Sequence, residues 1–460
     1  MIRVLKWFGF IALAALIGAV GYLSVMPPDL LRVGSNYTAK IICSNVFIAN
    51  RDEEEVLEVD VQAPGHPLLR LMRVEVDRSE GTVHAALLGA IAPGMAVSRG
   101  PKLGCTSLPS LDGSNLLSVD GPPVAEAPVP QRPWPVGEQV DTDLPTDVSA
   151  ILNDETLVGP GMRAVVIVKD GNIIGERYGE GFNAQSPLLG WSVTKTVTAA
   201  LIGRAIREGH MTLEGNVSSV FDWADERQSI GLSELMAMAS DLQWNEGYGS
   251  VSDVTRMLYL EEDMAAFVAG MPVDAVTSLG IGEDFNYSSG TTVLLSKIWQ
   301  SAFTDQSQAV AFAHQALFQP LGMHSAVLEM DAKGTYVGSS YMYATARDWA
   351  RFGQFMLQRG VWDGLSLLPI GFVDWMTKTH PASNEQYGNG QIWKRAANAW
   401  MPGENPQLPD DGFYMNGHDG QSISVISSEG LVVVRLGLTP TDRAYKVAYL
   451  LEALIEATGD

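Results

Sequence analysis

The sequence predicts an α+β protein whose antiparallel sheet is built from hairpins at both ends of a large C-terminal region. In the first hairpin, residues 164–168 and 173–178 are apolar runs joined by Asp170-Gly171, which is a strong signal for a hairpin turn. Near the C-terminus, residues 422–426 and 431–436 repeat this arrangement. The chain between the hairpins has mostly helical periodicity, so we expect helices on the sheet and a helical subdomain between its strands.

Four helices of this region are predicted from apolar spacing and from their end signals. The predicted helices cover residues 193–208, 232–239, 346–358 and 441–457. The first is expected to stop at Gly209, and the third is expected to be capped by Thr345 and to end at Gly360.

Charge excludes one class of partner. The chain has 460 residues, with 30 Lys and Arg against 53 Asp and Glu, and a formal net charge of −23. Nucleic-acid binding depends on basic residues that neutralise phosphates, so we expect no nucleic-acid partner. Apolar residues make up 46% and charged residues 18%, which is a globular composition, and the length suggests about three domains.

The N-terminus predicts export. Arg3 and Lys6 precede an uncharged stretch at residues 7–26, which ends at Pro27-Pro28. As a helix this stretch would measure about 30 Å, enough to cross a bilayer. We therefore expect residues 1–26 to be a signal anchor in the lipid of the inner membrane, with the remainder in the periplasm. The alternative is a signal peptide cleaved after the small-x-small sequence at residues 19–21.

Residues 27–120 are expected to form a small exported segment with short β-like runs at 41–42, 46–48 and 82–88. The acidic run at 52–55 is interpreted as a solvated loop or a helix start. In an oxidising compartment Cys43 and Cys105 can form a disulfide, although two buried thiols are the alternative. Prolines are dense at 121–145, which predicts a semi-rigid linker before one large domain at 146–460.

The first candidate motif is Ser192-Val193-Thr194-Lys195, which follows Gly190-Trp191 at the start of a predicted helix. Residues at i and i+3 share a helix face, so the serine hydroxyl and the lysine amine can meet. The helix N-terminus favours a developing anion, and a desolvated lysine loses its proton more readily. Alone the motif is weak, because serine is also a common helix cap and lysine a common helix residue.

Two further motifs lie downstream. Tyr287-Ser288-Ser289-Gly290 follows a glycine-containing loop, and its tyrosine could share a proton with the lysine, although a packed aromatic with a capping serine is equally compatible. Residues 417–420, Gly-His-Asp-Gly, lead into the second hairpin, where a small residue would let a ligand lie along the strand edge. An ordinary turn is the alternative there.

Taken in order, three motifs resemble those of the penicillin-recognising serine hydrolases, which include class C β-lactamases, D-alanyl-D-alanine carboxypeptidases, family VIII esterases and 6-aminohexanoate-dimer hydrolases: Ser192-x-x-Lys195, Tyr287-x-Ser289 and His418-x-Gly420. Stretches 232–240 and 342–353 also resemble helices of that superfamily. The resemblance covers about residues 146–459 and implies the β-lactamase/transpeptidase-like fold.

The resemblance also implies roles for individual residues. Ser192 would be the nucleophile, and Lys195 with Tyr287 would move its proton. The backbone N–H groups of Ser192 and Gln421 would form the oxyanion hole, and Ser289, His418 and Gly420 would orient the network and bind substrate. No metal or other cofactor is implied.

Departures from the β-lactamase pattern indicate the subfamily. Ser289 stands where β-lactamases usually carry Asn, and His418 stands where they usually carry Lys, so the motifs resemble the 6-aminohexanoate-dimer hydrolases and the esterases more closely. Asp241 replaces the glycine expected after Ser240. We expect an amidase or esterase acting on a small-molecule substrate. The alternatives are a cell-wall D,D-peptidase or weak β-lactamase, and a non-catalytic binding protein on the same fold.

Overall fold

The computed structural model describes residues 7, 10, 18, 21–23, 25–119, 121, 132–140, 145–215, 217–274, 279–396, 406–440 and 445–459. Within these ranges no helix is both long and apolar enough to cross a bilayer. The anchor predicted at residues 1–26 lies mostly outside them, as does most of the linker predicted at 121–145.

The described helices and strands are numbered in chain order. The helices are Asp29–Phe47 (α1), Glu53–Val56 (α2), Thr146–Asn153 (α3), Glu155–Val158 (α4), Thr194–Arg207 (α5), Ser218–Phe221 (α6), Leu232–Met236 (α7), Asp253–Leu260 (α8), Met264–Ala269 (α9), Ser289–Ser301 (α10), Gln306–Phe312 (α11), Ala346–Leu357 (α12), Phe372–Thr377 (α13) and Val447–Thr458 (α14). The strands are Met72–Asp77 (β1), Thr82–Leu87 (β2), Ile91–Ser98 (β3), Cys105–Ser107 (β4), Met162–Lys169 (β5), Asn172–Tyr178 (β6), Leu188–Leu189 (β7), Val327–Leu328 (β8), Met342–Ala344 (β9), Val361–Trp362 (β10), Leu365–Ser366 (β11), Phe413–Gly417 (β12), Gln421–Ile426 (β13) and Leu431–Gly437 (β14).

The two predicted hairpins join into one antiparallel sheet with the strand order β12-β13-β14-β5-β6. The first and last parts of the domain meet where β14 pairs with β5, with Val433 opposite Ile167. Side chains alternate between the two faces of a strand. Val166 therefore packs in the core that contains Phe352 of α12, whereas Val165 and Ile167 pack in the core of α3 and α14. The predicted α+β architecture, a sheet closed by its terminal strands and flanked by helices, is confirmed.

The predicted helices are present with altered ends. The first begins as a short 3-10 turn, Trp191–Val193, and continues as α5. The second ends at Met236, three residues early, and the third is α12, whose N-cap Thr345 accepts a hydrogen bond from the Asp348 amide at 3.3 Å. The last begins at Val447, and residues 441–444 of its predicted range lie outside the described residues.

The N-terminal segment corrects one prediction. The β-like runs at 41–42 and 46–48 lie in helix α1 and at its C-cap, Ile48. Helix α1 packs on β2 and β3 of a four-stranded sheet with the order β1-β2-β3-β4. Gly94 of β3 permits this contact, because a Cβ there would lie 2.6 Å from the Asn36 amide nitrogen. The prediction was wrong because α1 is buried on nearly all sides, so its short apolar runs lack an amphipathic helical pattern. The predicted strand at 82–88 is confirmed as β2, and the acidic run begins α2.

Cys43 of α1 and Cys105 of β4 form a disulfide, with a Cα–Cα distance of 6.0 Å, as predicted. The segment also packs on the C-terminal region, and both contribute to one continuous apolar core. Lys40 Nζ lies 2.6 Å from Glu329 Oε2, and both side chains are almost fully buried. This ion pair joins α1 to the loop after β8.

Candidate active site

Ser192 and Lys195 meet as their spacing predicts. Ser192 lies in the 3-10 turn, and Lys195 lies one residue inside α5 with only 1% of its surface exposed. Lys195 Nζ donates to Ser192 Oγ at 2.9 Å, to Ser289 Oγ at 2.8 Å and to the Ser339 carbonyl at 3.1 Å. All three ammonium hydrogens therefore have an acceptor, which fixes the amine beside the serine hydroxyl.

Burial lowers the pKa of Lys195 to about 8, although the nearby Glu246 carboxylate opposes that shift. Removing the ammonium group from water disfavours its charged form. With that pKa, roughly a tenth of the lysine is neutral at pH 7 and about half at pH 8, and a neutral amine can accept the proton of an attacking hydroxyl.

Tyr287 lies beside this pair. Its ring centroid is 4.9 Å from Lys195 Nζ, and its hydroxyl is close enough to Ser192 for that serine to lower the pKa of the tyrosine. Burial raises the pKa of Tyr287, and the negative charge of Glu246 raises it further. The phenol therefore keeps its proton at neutral pH and can donate it.

Ser289 links the lysine to Glu246, a residue that the sequence analysis missed. Ser289 Oγ donates to Glu246 Oε1 at 2.5 Å, and the Ser289 amide donates to Oε2 at 2.8 Å. Trp244 Nε1 also donates to Oε2, at 2.5 Å. No motif marks Glu246, which approaches the site only because its loop folds over the start of α10.

His418 is held between aromatic rings. It stacks on Tyr248 with a centroid distance of 4.7 Å and forms a T-shaped pair with Trp191 at 5.6 Å. Its Nε2 lies 3.4 Å from Asp419 Oδ1. The structure thus places His418 next to the residue that precedes Ser192, with Tyr248 as a partner that the sequence analysis did not single out.

Gly420 and Gln421 lie where the turn after β12 enters β13. Gly420 has a φ of +83°, and a Cβ there would lie 2.9 Å from Arg435 Nη1, so the position requires glycine. The Gln421 side chain accepts from the Gly437 amide at 2.9 Å and donates to the Gly437 carbonyl at 2.6 Å. These bonds fix the first residue of β13.

One close approach brings this strand end to the serine turn, where the backbone is also strained. A Cβ on Gly417 would lie 2.3 Å from the Gly190 carbonyl oxygen, so the end of β12 directly abuts the turn that carries Ser192. Trp191 has a φ of +48°, which is uncommon for a bulky residue and marks local backbone strain immediately before Ser192. Strained backbone of this kind concentrates at functional sites.

Asp241 occupies the position where the superfamily's pattern has glycine. Its φ is +63°, the left-handed region that glycine enters most easily and that Asp tolerates better than most residues. The turn therefore keeps the conformation that a glycine would allow.

The fold and the site together define a class. An antiparallel sheet between helical layers, with Ser-x-x-Lys at the start of a buried helix, is typical of β-lactamase-like proteins. The chain belongs to the β-lactamase family, because the model of that family matches residues 155–454.

Solved structures agree with this assignment. A protein assigned as a 6-aminohexanoate-dimer hydrolase from Bacillus anthracis is 20% identical with a TM-score of 0.54, covering 74% of this chain and 89% of its own. A penicillin-binding protein from Bacillus halodurans is 16% identical with a TM-score of 0.50, covering 67% and 99%. A family VIII carboxylesterase is 13% identical with a TM-score of 0.51, covering 70% and 98%. At identities this low, the structural similarity shows a shared fold alone, and no curated protein matches the chain. The resemblance to the penicillin-recognising superfamily is confirmed.

Proposed function

We propose that the protein is a serine hydrolase that cleaves an amide or ester bond through an acyl-enzyme on Ser192. The observation that carries this proposal is the contact of 2.9 Å between Ser192 Oγ and a buried lysine amine whose pKa is lowered to about 8. Membership of the β-lactamase family, whose members are typically serine hydrolases, supports the same chemistry.

In the proposed mechanism, neutral Lys195 accepts the proton of Ser192 Oγ as the oxygen attacks the substrate carbonyl. The lysine is the better base of the pair, because burial favours its neutral form and raises the pKa of Tyr287. The negative oxygen of the tetrahedral intermediate would accept from the backbone N–H groups of Ser192 and Gln421, each worth about 3 kcal/mol.

Collapse of the intermediate expels the amine or alcohol, which takes a proton from the Tyr287 hydroxyl. Lys195 then returns a proton to Tyr287, which restores both groups. Water then attacks the acyl-enzyme, and the proton transfers run in the reverse order. This step releases the carboxylic acid and restores the Ser192 hydroxyl. Ser289 and Glu246 act on this cycle through Lys195, by holding its amine and by supporting its positive charge.

The test is a substrate panel of p-nitrophenyl esters, short linear amides, a D-Ala-D-Ala peptide and a chromogenic cephalosporin. Turnover of an ester or amide that Ser192→Ala abolishes, with fluorophosphonate labelling of Ser192 in the wild type, is the expected result. Ser301→Ala, an exposed serine at the end of α10, is the matched control and should keep wild-type rates.

One outcome would change the proposed substrate class, and another would overturn the proposal. Ser192-dependent turnover of only the cephalosporin or the peptide would favour a β-lactamase or D,D-peptidase. Failure of the probe to label Ser192, with no turnover of any substrate, would favour a binding protein that retains the fold.

Export of the protein, with residues 1–26 as a membrane anchor, is a separate proposal. The uncharged stretch at 7–26 and the Cys43–Cys105 disulfide support it, because disulfides persist in oxidising compartments. Cell fractionation should place the full chain in the membrane fraction. Recovery of the protein with both thiols reduced in the cytosol would contradict export.

A further inference from the structure

A cavity of about 310 Å³ lies between the N-terminal segment and the candidate active site. The segment lies outside the matched family region, which begins at residue 155. It supplies one wall of the cavity, which is almost entirely apolar and comes from α1, the 3-10 turn Pro67–Leu71 and the start of β1: Leu30, Leu31, Val33, Leu68, Leu69 and Met72.

The opposite wall comes from the candidate active site. Trp191 and His418 line the cavity, together with Tyr248, which stacks on His418. Tyr259 of α8, which is 3% exposed, and Asp419 also line the cavity. Because Trp191 directly precedes Ser192, the cavity adjoins the turn that carries the candidate nucleophile.

The cavity is large enough for part of a substrate. It is about twice the size of an engineered apolar cavity of roughly 150 Å³ that binds benzene. It therefore has room for an apolar group on the order of ten non-hydrogen atoms. Its size is also at the lower end of the range for ligand pockets, about 300–1,000 Å³.

The position of Tyr287 decides which part of the substrate would face the cavity. Tyr287 gives its proton to the leaving group in the proposed mechanism, so the amine or alcohol must lie on the tyrosine side. That side is formed by Tyr387 and Trp393, whose rings are 5.9 and 5.0 Å from the Tyr287 ring. None of these three aromatic residues lines the cavity, whereas Trp191 and His418 do. We therefore assign the cavity to the part of the substrate that stays on Ser192.

We propose that this cavity binds the apolar acyl chain of the substrate, so that the N-terminal segment selects esters or amides of medium-chain carboxylic acids. This inference rests on the proposed function, because the acyl chain is positioned by its attachment to Ser192. Two leucines three residues apart in one 3-10 turn allow a matched test. Leu68 lines the cavity, whereas Leu71 of the same 3-10 turn is 42% exposed and does not line it.

The experiment measures kcat/KM for p-nitrophenyl esters from acetate to dodecanoate. We expect the wild type to prefer the longer esters, from octanoate through dodecanoate, over acetate by at least about tenfold, since each buried methylene contributes about 0.8 kcal/mol. Leu68→Trp should lower the dodecanoate-to-acetate ratio at least about tenfold by filling the cavity. Leu71→Trp should keep the wild-type ratio.

Binding is measured separately by titrating dodecanoate calorimetrically into the full-length Ser192→Ala protein. We expect saturable binding that Leu68→Trp weakens at least tenfold and Leu71→Trp does not. Ser192-dependent acetate turnover with a flat chain-length profile and no dodecanoate binding overturns the cavity assignment and leaves the proposed function standing. Absence of all turnover, with dodecanoate still bound in the cavity, overturns the proposed function instead. A preference that appears only among alkyl acetates, in the alcohol chain, overturns the acyl assignment.

Discussion

Glu246 controls the pH at which Lys195 becomes a base, so Glu246→Gln should move the acid limb of the activity profile. The mechanism needs neutral Lys195, so kcat/KM should rise with pH through about 8, the lowered pKa of the lysine. Well below that pH, activity should fall about tenfold per pH unit as the lysine becomes protonated. Glutamine keeps an oxygen that can accept from Ser289 Oγ but removes the negative charge.

The size of the shift follows from the distance between the charges. Lys195 Nζ and Glu246 Oε1 are at most about 5.3 Å apart, the sum of the contacts of 2.8 and 2.5 Å that join them through Ser289 Oγ. Coulomb's law at that separation gives an attraction between the two charges of about 3 kcal/mol for an effective dielectric constant of 20, and about 0.8 kcal/mol for the dielectric constant of water. Loss of the charge therefore lowers the pKa of Lys195, and the midpoint of the acid limb should move to lower pH by about 0.6 to 2.

The assay is kcat/KM for p-nitrophenyl acetate between pH 5 and pH 10, because this parameter reports groups of the free enzyme. Glu456→Gln, an exposed carboxylate on α14, removes the same charge away from the site and should leave the midpoint in place. An unchanged midpoint in Glu246→Gln, or a move to higher pH, would refute the electrostatic role of Glu246. It would also remove support for Lys195 as the base.

Three further sets of substitutions test the fold by urea denaturation. Cys43→Ala with Cys105→Ala should lower the free energy of unfolding by about 4 kcal/mol because the unfolded chain gains freedom, and an unchanged midpoint would contradict this. Lys40→Met should cost about 3–5 kcal/mol by leaving Glu329 as a buried charge. Adding Glu329→Gln should recover much of that loss, because the amide oxygen can still accept from the Cys105 amide, and a further loss would argue against the charge effect. Asp241→Val should cost about 1–2 kcal/mol more than Asp241→Gly, since its φ of +63° is unfavourable for a β-branched residue; equal stabilities would contradict this.

The sequence predicted the elements whose pattern is local. An Asp-Gly turn between apolar runs identifies a hairpin within about 15 residues, and β5 and β6 have the expected bounds within two residues. The contact between Ser192 and Lys195 was equally accessible, because an i, i+3 spacing fixes both side chains on one helix face.

Helix α1 shows where this reasoning fails. Its residues 41–42 and 46–48 resemble strand fragments, because a helix buried on nearly every side loses the alternation between apolar and polar faces. Packing against β2 and β3 stabilises the helix, and no short window of sequence records that contact.

By itself, the sequence determined the fold class, the hairpins, the serine–lysine pair and the two cysteines that can pair. Each depends on spacing along the chain or on residue type. Only the tertiary structure placed Glu246 against Ser289, Tyr248 against His418, and the apolar wall of the N-terminal segment beside Trp191. These contacts join distant parts of the chain, and their chemistry depends on burial and on distances of a few ångströms that arise only when the segments pack together.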